Sequence, residues 1–189
     1  SSGNGIAGWG WNLSGLSMIT RTAKNYYYDY DKSGIILNGE SPLSLDGKRL
    51  IRKYGWGNDS IEYKTEDDQI TRIVGYGNYY SNPLYFIVYK KDGSRIIYGD
   101  ANGSSPNVMV GPKSSNNYRI FGWPVTEIID NSNNFIKYSY QDDEEYNEVY
   151  NATYNTNHRI NSIVYGKIDS NFEYFPVKKA QFLYTKKSY

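Results

Sequence analysis

An all-β fold is what this sequence predicts, on three observations. Tyrosine occurs 22 times against 6 Phe and 4 Trp, while alanine is scarce, so residues suited to a pleated, half-buried surface abound and the strongest helix former is nearly missing. Short apolar segments alternate with polar residues at a period of two. Between them stand Asp-Gly and Asn-rich turn signals. The expected architecture is a succession of antiparallel hairpins forming a large twisted sheet or an open barrel-like shell segment, with little helix.

The 189 residues suffice to bury a core as a single all-β module, 1–189, with a candidate internal boundary in a loop at 100–118. Lys and Arg total 21 against 20 Asp and Glu, a formal net charge of +1. Such balance leaves no electrostatic footprint for nucleic acid or for an anionic membrane. Cysteine is absent, which excludes disulfides, thiolate nucleophiles and cysteine-ligated zinc. The longest apolar runs are far short of a membrane span, so no membrane insertion by this segment is expected. The chain begins Ser1-Ser-Gly inside what reads as a structural motif, as a fragment of a larger chain does; its targeting signal is expected elsewhere.

Taken in order, the chain opens on Gly3-Asn-Gly-Ile-Ala-Gly-Trp9-Gly-Trp11-Asn-Leu13-Ser14. Trp9 and Trp11 are two apart, which in an extended chain puts both rings on one face, and the flanking glycines permit the turns and close approaches of a core corner. The same pair, if exposed, would make a sugar platform. The run continues through Leu16, Met18 and Ile19 to Arg21. Tyr26–Tyr30 and Ile35–Leu37 read as short strands. Asp46-Gly47 sits between two β-compatible runs, and Asp-Gly readily supplies the two positive φ values of a type I′ hairpin turn. Strands follow at Ser60–Glu66, Ile70–Val74 and Leu84–Tyr89, and Lys91-Asp92-Gly93-Ser94 turns the last of these into Arg95–Gly99. Residues 100–118, rich in Asn, Gly, Ser and Pro, read as a long surface loop. Trp123–Asp130 and Phe135–Tyr140 form a third hairpin around Asn131-Ser-Asn-Asn134, where Asn133 or Asn134 takes the positive φ usual for glycine. Gln141–Glu145 reads as an acidic loop leading into an Asn- and Tyr-rich segment, and Arg159–Tyr165 and Val177–Tyr184 pair across a final loop.

Few residues offer chemistry. His158 is the only histidine, so a catalytic zinc or a Ser-His-Asp triad would have this one residue to use. The adjacent carboxylates Asp67-Asp68, Asp142-Asp143 and Glu144-Glu145 fit solvated loops better than the facing pair of a glycosidase. Asp130–Asn134 begins like a calcium loop but lacks its central glycine and its final Glu, and a hairpin turn accounts for it better. No phosphate-binding loop, dinucleotide fingerprint or nucleophile elbow occurs. No catalytic residue, metal site or cofactor is therefore assigned. Tyr54-Gly-Trp56-Gly-Asn58 has the residue types that stack and hydrogen-bond a sugar, and Trp56, Tyr54 and Asn58 are the candidate ligand contacts; a tight aromatic corner would use the same residues.

The order of these motifs carries a resemblance. Ser2 to Arg21, with Gly8, Trp9, Trp11, Leu13, Ser14 and Arg21, is similar to the G-x-G-W-x-L-S-G-L-S-x-I-x-R opening of the SpvB and insecticidal toxin complex B-component family. Asp46, Gly47 and Arg49 match its L-D-G-x-R-L segment, and Asp92-Gly93 its K-D-G landmark. Tyr63-Lys-Thr-Glu66, Tyr85-Phe86 and Tyr98-Gly99 fall in the family's order between and after these. The Asp130 hairpin also resembles one Tyr-Asp repeat of RHS proteins. The resemblance implies that the named motif residues are structural and that the segment belongs to the wall of a β-sheet shell around a separate toxic domain. It also implies a secreted or cell-surface bacterial setting, neighbouring β-strands of the same parent protein as partners, and self-association of an isolated segment through unpaired strand edges. The alternative is a secreted or surface module that binds a glycan or a protein through exposed Trp and Tyr.

Overall fold

The computed structural model describes residues 13–37, 39, 41–54, 60–67, 72–77, 83–101, 106–113 and 118–185. Among the described residues the regular structure is almost entirely strand. β1 (Met18–Arg21), a short helix α1 (Tyr26–Asp29), β2 (Leu43–Leu45), β3 (Lys48–Tyr54), β4 (Ser60–Thr65), β5 (Arg72–Tyr76), β6 (Tyr85–Tyr89) and β7 (Arg95–Gly99) come first. After them follow β8 (Val108–Val110), β9 (Arg119–Ile129), β10 (Asn134–Asn147), β11 (Ala152–Ile168) and β12 (Tyr174–Gln181).

Consecutive strands pair antiparallel from β1 to β7, β7 pairs with β9, and β9 returns to β1. Ile19 stands opposite both Leu45 on β2 and Trp123 on β9. That second pairing closes eight strands into a barrel and leaves them no free edges. The Asp46-Gly47 turn is as expected from its dipeptide, with φ of 49° and 82°. The barrel core gathers Ile19, Leu43, Leu50, Tyr63, Ile73, Phe86, Val88, Tyr98, Trp123 and Val125, all under 9% exposed. At its centre Phe86 meets Trp123 edge-to-face, with centroids 5.1 Å apart, and the Trp123 indole N–H donates to the Pro83 carbonyl at 3.1 Å. Gly99, at φ 77°, lies so close that a Cβ there would stand 2.8 Å from Trp123 Cδ1 and 2.9 Å from the Leu84 carbonyl oxygen.

β9 is where the sheet forks. Its first part carries β8 and β1, while Glu127–Ile129 pair with β7 on one side and with β10 on the other. β10, β11 and β12 therefore leave the barrel as a wing. The Tyr140 hydroxyl donates to the Val125 carbonyl at 2.7 Å and so ties the wing to the fork. The hairpin turns at 90–94, 130–134 and 169–173 share one bonding pattern: Lys90, Asp130 and Asp169 donate to the carbonyls of Ser94, Asn134 and Glu173. Each has a residue of positive φ at its fourth position: Gly93, Asn133 and Phe172. Asn is the second choice there, and Phe, 81% exposed, is an uncommon third.

Four expectations are corrected. Tyr26–Asp29 is helix, because Asn25 caps it: its side chain accepts from the Tyr28 amide (3.1 Å) while Asp29 accepts from the Asn25 amide (2.9 Å), and two satisfied donors outweigh the aromatic preference for strand. Ile35–Leu37 forms no strand; Ile35 and Ile36 are each 44% exposed. Residues 100–118 are more than a surface loop, since β8 pairs with β9 and buries Met109 beside the fully buried Asn107. The acidic stretch Gln141–Glu145 is strand, because each charge finds a cross-strand partner on β11 or β8's neighbour Lys113 or faces solvent.

Candidate functional site

The motif residues that the structure describes sit at barrel joints. Asp46, at the tip of the β2–β3 turn, accepts from the Met18 amide (2.9 Å) and from the Ser17 hydroxyl (2.6 Å), and its own amide donates back to the Met18 carbonyl (3.1 Å). With the Ser17 hydroxyl donating to Asp46, the Tyr98 hydroxyl donates to Ser17 Oγ at 2.8 Å. Burial pushes the Tyr98 hydroxyl up to about 12. Arg21 is 2% exposed; its Nε donates to the Ile120 carbonyl at 2.7 Å and its guanidinium lies over the Trp123 ring at 5.6 Å. Burial lowers the Arg21 pKa to about 10, so the cation persists at neutral pH. Arg49 pairs with Asp29 and lies over the Tyr28 ring, which fastens α1 to β3. Asp92 accepts from the Ser94 amide and hydroxyl, which lowers its pKa, and Gly93 takes φ 82°. Leu13 is half-buried and Ser14 exposed. Gly8, Trp9, Trp11, Trp56 and Asn58 lie outside the described residues, as does the Tyr54 side chain at the end of β3.

Of the groups singled out for chemistry, His158 and Asp142 engage one another and the others are held by neighbouring side chains or their own turn. His158 Nδ1 and Asp142 Oδ1 are 2.6 Å apart across the β10–β11 ladder, and the imidazole stacks on Tyr140 with centroids 5.0 Å apart. The other Asp142 oxygen accepts from Asn155 (2.7 Å), which also donates to the Tyr118 hydroxyl (3.1 Å). Asp143 pairs with Arg159 and Glu144 with Lys113. Asp130 turns both oxygens inward on its own hairpin, accepting from the amides of Ser132 and Asn134 and from the Asn134 side chain. Among the described residues no cluster of three His, Cys, Asp or Glu side chains is placed to hold a metal.

What sequence reasoning missed is a surface on the wing. A groove is lined by Ile128, Ile136, Tyr138, Ile163, Tyr165 and Val177. Directly opposed residues share a face, so Ile96, Ile128, Ile136 and Tyr165 form one transverse row across β7, β9, β10 and β11, ending on Lys178 of β12. The signal was the alternation of Ile136, Tyr138 and Tyr140, legible as a buried face but not as an uncovered one.

Against known proteins, the family described as Salmonella virulence plasmid 65kDa B protein, SpvB, matches residues 1–187. The chain belongs to the SpvB family. Among solved structures it is similar to the N-terminal domain of the effector protein SpvB from Salmonella typhimurium strain LT2, at 15% identity and a TM-score of 0.57, covering 88% of this chain and 56% of that one. It is also similar to the TcdB2-TccC3 complex, at 13% identity and a TM-score of 0.56, and to the Photorhabdus luminescens Tc holotoxin pore, at 14% and 0.56. These cover 87% and 88% of this chain but 8% of either of those. The chain thus spans just over half of the SpvB domain and a small part of the toxin chains, and at such identities the likeness shows a shared fold. No curated protein sequence matches it.

Proposed function

We propose that this segment is a non-catalytic structural part of a secreted, toxin-complex-like protein, contributing β-sheet wall to a shell that encloses and helps deliver a separate toxic domain. The observation that carries the reading is the fork at β9. A closed barrel has no edges left to join anything, yet this one sends out a three-stranded wing whose last strand, β12, has no further strand beside it among the described residues. Family membership and the shared fold support placing that wing in a larger assembly, and the engagement of His158 with Asp142, of Asp143 with Arg159 and of Asp130 with its own hairpin supports a role without turnover. Its partners are then the neighbouring β-segments of the parent protein. The isolated segment is expected to self-associate through its unpaired strand edges at high concentration in light scattering; a clean monomer counts against the wall.

The test is limited proteolysis of the parent protein. If the wing is wall, a substitution that detaches β12 exposes the enclosed domain to protease that the unaltered protein resists. Equal cleavage of that domain in both proteins sinks the reading.

A further inference from the structure

Along the transverse row of the sheet, burial decays from the core outward. Ile96 on β7 is 9% exposed and Ile128 on β9 is half-buried against the barrel core, but Ile136 on β10 is 36% and Tyr165 on β11 42% exposed; Val177 beside them on β12 reaches 68%. From Ile96 to Tyr165 the row stays apolar or aromatic while exposure rises, and it turns charged only at Lys178 on the edge strand. A half-solvated antiparallel sheet carries polar residues on its wet face, and here, between Asp130, Asn134 and Lys167 at the turn end and Lys178 at the edge, the middle of that face is held by Ile136, Tyr138, Ile163, Tyr165 and Val177. The opposite face already has its own apolar cluster, Phe135, Ile129 and Ile168, each at or below 5% exposure. The open face is the barrel core carried past the point where the barrel stops covering it.

The neighbouring edge is poorly made for strand addition. The Ile168 amide donates to Asn133 on the β10 side, so by alternation Gly166 also faces β10 and its opposite residue Pro176 faces the free edge. Proline offers no donor there, a bulge follows at Tyr165/Gly166, and Lys178 and Lys179 come next; these are devices that blunt an edge. Contact with a neighbour over this half of β12 is therefore made across the face.

We propose that the groove of Ile136, Tyr138, Ile163, Tyr165 and Val177 is filled by an apolar β-segment from the remainder of the parent chain, which extends the barrel core under the wing. The inference rests on the wall reading given above. Its occupant follows from two facts: the groove is continuous with the core through Ile128 and Tyr138, and the SpvB domain of the same fold has further chain beyond the 56% that this segment covers. Lys178 closes the outer end of the row, so the segment ends there on a carboxylate or a carbonyl rather than on a cation.

The 189 residues hold no cysteine, so an engineered thiol is the only one in the segment; in the parent the label is read by mass spectrometry on the peptide that carries the engineered residue. Tyr165→Cys and, as a milder change at a more exposed site, Val177→Cys are each prepared in the 1–189 segment and in the parent protein, with Val149→Cys at the distal hairpin as control. Both groove thiols are expected to react with a maleimide roughly tenfold or more slowly in the parent than in the segment, while the control reacts alike in both. Equal rates in segment and parent overturn the proposal, and so does labelling of Tyr165→Cys, set back from the edge on β11, that slows within the segment as its concentration rises, which assigns the groove to a second copy. A parent whose toxic domain resists protease while both groove thiols stay reactive defeats this inference and leaves the wall standing; a parent that fails the protease test defeats both.

Discussion

Replacing Trp123 tests whether the barrel is held from its centre. The residue is fully buried, meets Phe86 edge-to-face, lies under the Arg21 guanidinium and donates to the Pro83 carbonyl. Trp123→Ala leaves a cavity in a core that cannot collapse onto it, since closed strands hold the walls apart; such truncations cost about 3–5 kcal/mol. It also strands the buried Pro83 carbonyl, at about 1–3 kcal/mol. The two overlap in part, so the expected loss is roughly 4–7 kcal/mol, comparable with the whole stability of a domain of this size. Trp123→Phe keeps a ring against Phe86 and loses the indole donor, and is expected to cost about 1–3 kcal/mol. Urea unfolding followed by far-ultraviolet circular dichroism reads both. An alanine variant within about 1 kcal/mol of the unaltered chain would refute the central role assigned to Trp123, and equal losses in the two variants would refute the division between ring and hydrogen bond.

Three further outcomes are expected. Tyr98, raised by burial from 10.0 to about 12, holds its proton in the folded chain after it is lost in the unfolded one; its contribution is complete below pH 10 and is lost as pH rises from 10 through 12, about 3 kcal/mol in all. The urea midpoint should fall across that window, less steeply in Tyr98→Phe, with Tyr140 and Tyr63, also raised by burial, keeping some of the slope; identical slopes would remove Tyr98 from the account. Asp46→Ala loses two acceptor contacts to the β1 entry and places alanine at φ 49°, at about 2–3 kcal/mol, whereas Asp46→Asn, tolerant of that φ, should lose about half as much by thermal or urea unfolding. Gly166→Ala would put a Cβ 2.0 Å from the Phe175 carbonyl oxygen and 2.9 Å from Pro176 Cα, backbone atoms that cannot rotate aside. Hydrogen exchange should show β12 and its β11 partners opened while Ile73 and Phe86 in the barrel stay protected; intact β12 protection would contradict the close packing at that bulge.

Within the barrel the hairpins were legible because their causes are local. Asp46-Gly47 and Asp92-Gly93 carry their turns in two residues, and Asn133 shows in sequence why it can stand where glycine is usual. The same locality misled at Tyr26–Asp29, where strand-favouring rings were overruled by a cap on Asn25, and at Gln141–Glu145, where charge suggested a loop although partners on β11 and Lys113 await across the ladder. Phe172 gave no warning at all: its positive φ is imposed by the turn that joins β11 to β12.

Alternation, turn chemistry and composition by themselves determined that the chain is a series of antiparallel hairpins, since each depends on residues a few positions apart. Only tertiary structure decided what those hairpins enclose. Ile19 meets Trp123, Arg21 reaches Ile120 and Tyr98 reaches Ser17 across long stretches of sequence, and no local pattern encodes which strand closes on which. Whether Ile136 and Tyr165 are core or surface is likewise settled by where β10 leaves the barrel at β9, because a period of two assigns a residue to a face and only the fold decides whether anything covers it.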